Sequence, residues 1–194
     1  LTLRRRARRV SEALSLLKGR SAAAREPLSQ PAVGQVGSTE PTWLMPAMQA
    51  YQAWLSALDL EDLDDLLISA TQVCRADPDA ARYRYVHVDE YQDTNGVQRE
   101  LLIALARAGA QVFAIGDPDQ SIYAFRGADL GNFFAFPRDF PGARVFYLRE
   151  NFRATATLVA AASALRGPAA GDGSLGEGPP PQAQRGPGER VQLR

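Results

Sequence analysis

A short apolar run, Tyr85-Val86-His87-Val88, stops abruptly at two adjacent carboxylates, Asp89 and Glu90. Its β-branched residues predict a strand. Two acids at the carboxyl end of a buried strand are costly unless something cationic lies beside them. Mg²⁺ meets that need where phosphates are handled, because it takes one or two carboxylates and fills its shell with water and phosphate oxygens. A strand that closes on a solvated acidic turn is the plainer alternative.

The pattern around this run repeats. Val97–Ala108 predicts a helix with Val97, Leu101, Leu102 and Leu105 inward. Gln111–Ile115 predicts a second strand, ending at Gly116-Asp117. Residues 129–136 predict a short helix, Arg144–Leu148 a third strand and Ala154–Leu165 a third helix. Alternating strands and helices argue for an α/β domain with a parallel sheet flanked by helices. Ligands of such sheets bind beyond the carboxyl ends of the strands. Polar clusters follow each predicted strand: Asp89-Glu90, then Gly116-Asp117-Pro118-Asp119-Gln120, then Arg149 to Arg153.

The region before this alternation divides into helices and a linker. Leu3, Ala7, Val10, Leu14 and Leu17 recur at helical spacing within residues 1–19, and Gly19 is a plausible stop. Residues 1–26 carry eight basic and two acidic side chains. They read either as a phosphate-backbone contact or as the solvated face of an accessory helix. Residues 27–42, with Pro27, Pro31, Pro41, Gly34 and Gly37, read as a linker. A helix over Trp43–Leu58 has Ala47, Tyr51, Leu55 and Leu58 on one face. A second follows with Leu60, Leu63, Leu66, Leu67 and Ala70 as its apolar side. Its acids, Asp59, Glu61, Asp62, Asp64 and Asp65, read as solvated or early-turn charges that suit the helix dipole.

Composition excludes several classes. Net charge is zero, so any basic surface is local. The single cysteine, Cys74, rules out an internal disulfide and a cysteine-rich zinc site, and fits the reducing cytoplasm. No apolar run reaches the 18 or so residues of a membrane span. The single histidine, His87, reads as a packed or edge residue of its strand.

Three stretches carry a resemblance. Asp89-Glu90-Tyr91-Gln92-Asp93-Thr94-Asn95 resembles motif II of the superfamily 1 DNA helicases of the UvrD/Rep/PcrA group. Gly116 to Ala128 resembles their motif III, and Leu148 to Thr155 their motif IV. Weaker similarity runs back through Tyr51 and Asp62–Leu67 and forward to Gly188–Leu193, which resembles the strand that enters the second motor domain. The resemblance implies a partial RecA-like motor domain over residues 43–165. Residues 166–194 would form a flexible join and the first strand of the next domain.

The family implies ATP hydrolysis coupled to movement along single-stranded DNA, usually 3′ to 5′, and unwinding at duplex junctions. Carried over by position, Asp89 would hold Mg²⁺ with Glu90 beside it, and Glu90 would orient or deprotonate the attacking water. Gln120 would sense the γ-phosphate, Arg153 would act as the arginine finger and Phe152 would stack on adenine. Tyr123, Phe125 and Arg126 would face single-stranded DNA. Phe133, Phe134 and Phe136 read as core.

The sequence departs from that pattern in small ways and one large one. Phe125 stands where the family often has Trp, Glu150 where Gln is common, and Phe152 for the usual Tyr. The only lysine, Lys18, is followed by Gly19 and Arg20, so the 194 residues hold no glycine-rich loop ending in Lys-Ser or Lys-Thr. The expectation is a middle portion of a helicase, whose remaining segments lie outside this chain. A non-catalytic module that binds single-stranded DNA or acts as a scaffold on the same fold is the alternative.

Overall fold

The chain falls into two compact units, Leu1–Phe133 and Phe134–Arg194. The structure is a computed structural model, and it describes residues 10, 11, 13–15, 17, 18, 42–166 and 181–188. The expected linker at 27–42 except its last residue, the residues Leu3 and Ala7, and most of Gly188–Leu193 lie outside these.

The first unit begins with helices. The described residues between Val10 and Lys18 are helical. They pack Leu14 and Leu17 against Leu44 and Met48 of α1 (Leu44–Ala57), with Ala13, Met45 and Tyr51 alongside. Val10 lies outside that core at 37 % exposure. Helix α2 (Leu63–Ala76) starts where Asp62 and Asp65 close a reciprocal capping box, which satisfies two otherwise orphaned amides. Its apolar side differs from the expected one. Leu60, Leu63 and Leu66 are exposed, Leu63 at 80 %, whereas Thr71 is buried. The helix begins three residues after Leu60, so Leu60 cannot share its face, and its packing side is shifted around the axis.

The acids there also differ from a purely solvated set. Asp64 and Asp65 do lie in the first turn of α2. Yet Lys18, only 1 % exposed, places its Nζ 2.7 Å from Asp62 and 2.6 Å from Asp65. Ser15 donates to Asp64 and the Tyr51 hydroxyl to Asp62. The lone lysine is thus an internal counter-ion that ties the N-terminal helical residues to the start of α2.

The α/β portion follows. Strand β1 (Tyr85–Val88) pairs in parallel with β2 (Gln111–Ala114), with Tyr85 opposite Gln111 and Val88 opposite Ala114. Parallel strands need a crossover, and α3 (Gly96–Arg107) supplies it. Asn95 and Gln98 form its capping box. Val97, Leu102, Ile103 and Ala104 are buried on it, and Leu101 and Leu105 are half-buried. Arg75 of α2 pairs with the buried Glu100 of α3, which joins the two helices. His87 is exposed on a strand that has one neighbour among the described strands, and it meets Phe113 of β2 at 5.6 Å between ring centroids. Helix α4 (Leu130–Phe134) spans the end of this unit at Phe133.

The second unit holds α5 (Phe136–Asp139), β3 (Glu150–Thr155), α6 (Ala156–Arg166) and β4 (Gln182–Arg185). Strands β3 and β4 are again parallel. The third strand therefore falls on Glu150–Thr155 and not on Arg144–Leu148. The apolar run Val145–Leu148 has the composition of a strand, but no described strand pairs with it, and Leu148 is 93 % exposed. A ladder needs a partner, and β4 lies against residues 150–155. The helix after it accordingly starts at Ala156 and not at Ala154. Both sheets make this a mixed α/β chain with short parallel sheets. No described helix is long and apolar enough to cross a membrane.

Candidate nucleotide and nucleic-acid site

The carboxyl ends of β1 and β2 lie side by side because the register of the sheet aligns Val88 with Ala114. The Ile115 amide donates to the Val88 carbonyl and the Tyr91 amide to the Ile115 carbonyl, both at 2.9 Å. The two loops that follow are therefore fastened from their first residues.

Glu90 takes the left-handed backbone conformation, φ 51° and ψ 46°. For a residue other than glycine this costs about 1–3 kcal/mol, and such strain gathers at functional sites. The turn puts the Glu90 carboxylate within 2.8 Å of the Gln92 Nε2 donor. Asp89 is exposed, and its Oδ1 accepts the Glu90 amide at 3.0 Å. Asp89, Glu90 and Asp93 line an open cleft of about 310 Å³ together with Val88, Thr94, Gln98, Leu101 and Leu102. Asp93 Oδ1 is buried there and has no hydrogen-bond partner among the described residues.

Two exposed neighbouring carboxylates on a fixed turn suit a hard divalent ion that keeps most of its own water. The described residues contain no group of three or more acidic, His or Cys side chains that would form a protein-only metal cage. Asp89 and Glu90 are the side chains of this cleft that could hold such an ion.

The second loop is held by its own side chains and by the first. Asp117 Oδ1 accepts the Asp119 amide and Asp117 Oδ2 accepts Gln120 Nε2, at 3.0 and 2.7 Å. The Asp117 amide donates to Gln92 Oε1 at 2.9 Å. Gly116 makes this possible: a Cβ there would lie 2.7 Å from Gln92 Oε1 and 2.9 Å from the Phe133 ring. Further along, Asn95 bridges Ala128, and the Thr94 carbonyl accepts from the Asp129 amide and from Asn132 Nδ2.

Between these fastenings the chain presents aromatic residues. Tyr123 and Phe125 lie 5.9 Å apart, and the Arg126 guanidinium covers both rings at 5.1 and 5.8 Å. Phe125 and Arg126 are exposed, whereas Tyr123 is half-buried. Phe133 packs on Tyr91 and is half-buried, and Phe136 packs on Phe140 at 4.5 Å.

Asp89, Glu90, Gln120, Tyr123, Phe125 and Arg126 thus all belong to the first unit. Phe152 and Arg153 belong to the second, where both are exposed on β3 itself and not on a loop after a strand. The Arg153 amide is held by Asn151 Oδ1 and its carbonyl by Arg185 of β4. Sequence reasoning gave no role to Gln92, Asp93 or Asp117. A polar residue two positions after a strand-end acid, and a Gly-Asp at the end of the next strand, were the available signals.

Sequence relationships place the chain in a family. Residues 4–141 match the UvrD/REP helicase N-terminal domain, and the chain belongs to that family. Its relatives include the ATP-dependent DNA helicase PcrA of Staphylococcus aureus (strain Mu50 / ATCC 700699), 40 % identical over 118 residues. That match covers 58 % of this chain and 16 % of the relative. PcrA of Leuconostoc citreum is 40 % identical over 121 residues, 60 % of this chain and again 16 % of the relative. The chain thus corresponds to a small part of these longer proteins.

Proposed function

We propose that this chain is the central part of a RecA-like motor domain in an ATP-dependent DNA helicase, which couples ATP hydrolysis to 3′ to 5′ movement on single-stranded DNA and to duplex unwinding. The observation that carries the reading is the strand-end acid pair in its strained turn, hydrogen-bonded through to Gln120 on the neighbouring strand end. The resemblance to motifs II, III and IV supplies the roles.

Asp89 and Glu90 would hold Mg²⁺, which when bound neutralises phosphate charge during phosphoryl transfer. Glu90, an exposed acceptor on a fixed backbone, orients the attacking water and receives its proton. Gln120, restrained by Asp117, presents its amide to the terminal phosphate. Arg153 offers a planar fork of donors to developing phosphate charge, and Phe152 an exposed ring to adenine. Tyr123, Phe125 and Arg126 offer stacking and charge to single-stranded DNA, in which each stacked base is worth about 1–3 kcal/mol.

Catalysis of this kind is mostly positioning. The 194 residues contain no phosphate-cradling loop with its lysine, so the chain alone is expected to release phosphate from ATP very slowly. Joined to a segment that carries such a loop and to the rest of the motor, it should show turnover stimulated by single-stranded DNA. Glu90→Gln or Arg153→Ala should remove most of that turnover. Robust release by residues 1–194 that survives Glu90→Gln would refute the assignment.

A further inference from the structure

Gln92 is 1 % exposed, yet it lies between two loops that are mostly in water. Its Nε2 donates to Glu90 Oε2 at 2.8 Å, and its Oε1 accepts from the Asp117 amide at 2.9 Å. Asp117 in turn holds Gln120 Nε2 at 2.7 Å. The result is a continuous series, Glu90–Gln92–Asp117–Gln120, across two strand ends.

The polarity of the series is fixed. A backbone amide can only donate and an ionised carboxylate can only accept. The Gln92 side chain satisfies both in one orientation alone, since a flip would set its NH₂ against the Asp117 amide and its oxygen against Glu90. Burial keeps water from substituting for either bond, which raises the cost of losing one. Gly116 leaves the space that the Gln92 oxygen needs. The Ser121 hydroxyl also reaches toward the Gln92 carbonyl, at 3.4 Å, so this residue meets the second loop with both backbone and side chain.

We infer that Gln92 is a positioning residue: its amide fixes the Glu90 carboxylate and transmits a change at that carboxylate to the Asp117–Gln120 turn. The inference rests on the roles proposed above for Glu90 and Gln120, and it adds a physical link between the water-orienting acid and the phosphate sensor. A change in charge or position at Glu90 reorients the Gln92 amide, alters the bond to the Asp117 amide, and so shifts the group that restrains Gln120.

The test uses the 194-residue chain, labelled with ¹⁵N and free of nucleotide, so its outcome is independent of whether the chain takes part in ATP hydrolysis. Glu90→Gln should move the Asp117 backbone and Gln120 side-chain amide signals. In a Gln92→Met background the same substitution should leave them where that background puts them. Hydrogen exchange at the Asp117 amide should quicken about tenfold in Gln92→Met, the loss expected for one hydrogen bond.

A reciprocal exchange guards against misfolding of the Met variant. Gln92→Glu alone keeps the acceptor for Asp117 but opposes two carboxylates, and it should displace both signals. Combining it with Glu90→Gln restores a donor and an acceptor with reversed polarity, and it should return both signals toward their wild-type positions. The inference is overturned if Glu90→Gln moves the Asp117 and Gln120 signals equally with Gln92 present or replaced, or if the reciprocal pair lies no nearer to wild type than Gln92→Glu alone.

Discussion

Replacing Lys18 by Met should be among the most damaging single changes in the first unit, although Lys18 touches none of the candidate site residues. Methionine keeps the length and packing of the apolar stem and removes only the ammonium. Asp62 and Asp65, with side chains 26 % and 13 % exposed, are then left together without their cation. Breaking a buried ion pair by removing one partner costs about 3–5 kcal/mol. Asp62 is partly wetted, so the low end applies, about 3 kcal/mol. For a unit of this size that corresponds to a fall in Tm of roughly 10 °C.

The assay is thermal unfolding followed by circular dichroism for wild type, Lys18→Met and the triple variant Lys18→Met/Asp62→Asn/Asp65→Asn. The triple variant should regain most of the loss, because Asn still caps the α2 helix and no carboxylate is stranded. A Lys18→Met variant that melts with the wild type would refute the reasoning. So would a triple variant no more stable than the single one, since the damage would then come from the stem and not the charge.

The same cluster sets a pH dependence. Burial pushes Asp62 up, but the Lys18 ammonium, the Asp65 amide and the Tyr51 hydroxyl outweigh it and hold the carboxyl below its usual range. A group whose folded pKa is depressed contributes stability that is present above its unfolded pKa, about 3.9, and is lost as pH falls through the folded value. Stability should therefore decline below about pH 4, and less steeply in Lys18→Met. Burial, then Asp62, raises the Tyr51 phenol. Its contribution is complete below the unfolded value of about 10 and is lost as pH climbs past it.

Three further outcomes are expected. Tyr123→Ala/Phe125→Ala should weaken binding to a labelled single-stranded oligonucleotide at every salt concentration, because stacking is not screened charge; unchanged fluorescence anisotropy would remove the stacking role. Asp89→Asn should leave the melting temperature almost unaltered, since the side chain is exposed and accepts one local amide; a large loss would make it a structural acid. Gly116→Ala should destabilise by about 1–3 kcal/mol through overpacking, because the new methyl meets Gln92 and Phe133; a urea midpoint equal to wild type would contradict the close approach.

How much of this was legible in the sequence depends on how each residue acts. The strands β1 and β2 follow from apolar runs that end at Asp89 and at Gly116-Asp117, the helix between them from its apolar spacing, and the parallel pairing from their alternation. Val145–Leu148 has strand composition, yet the third strand falls on Glu150–Thr155, because strand identity depends on which segment β4 pairs with. The role of Lys18 was hidden for a related reason: its partners lie 44 and 47 residues away, beyond any local periodicity. The candidate site divides along the same line. The acid pair Asp89-Glu90 stands out by type at a strand end, whereas the roles expected of Tyr123, Phe125 and Arg153 come from the motifs they resemble. Gln92 and Asp117 act by connecting groups 25 residues apart. A neutral amide in a polar loop looks the same whether it faces water or joins two strand ends. Only the buried geometry separates those cases, and here it makes the less conspicuous residue the one through which the two loops can respond to each other.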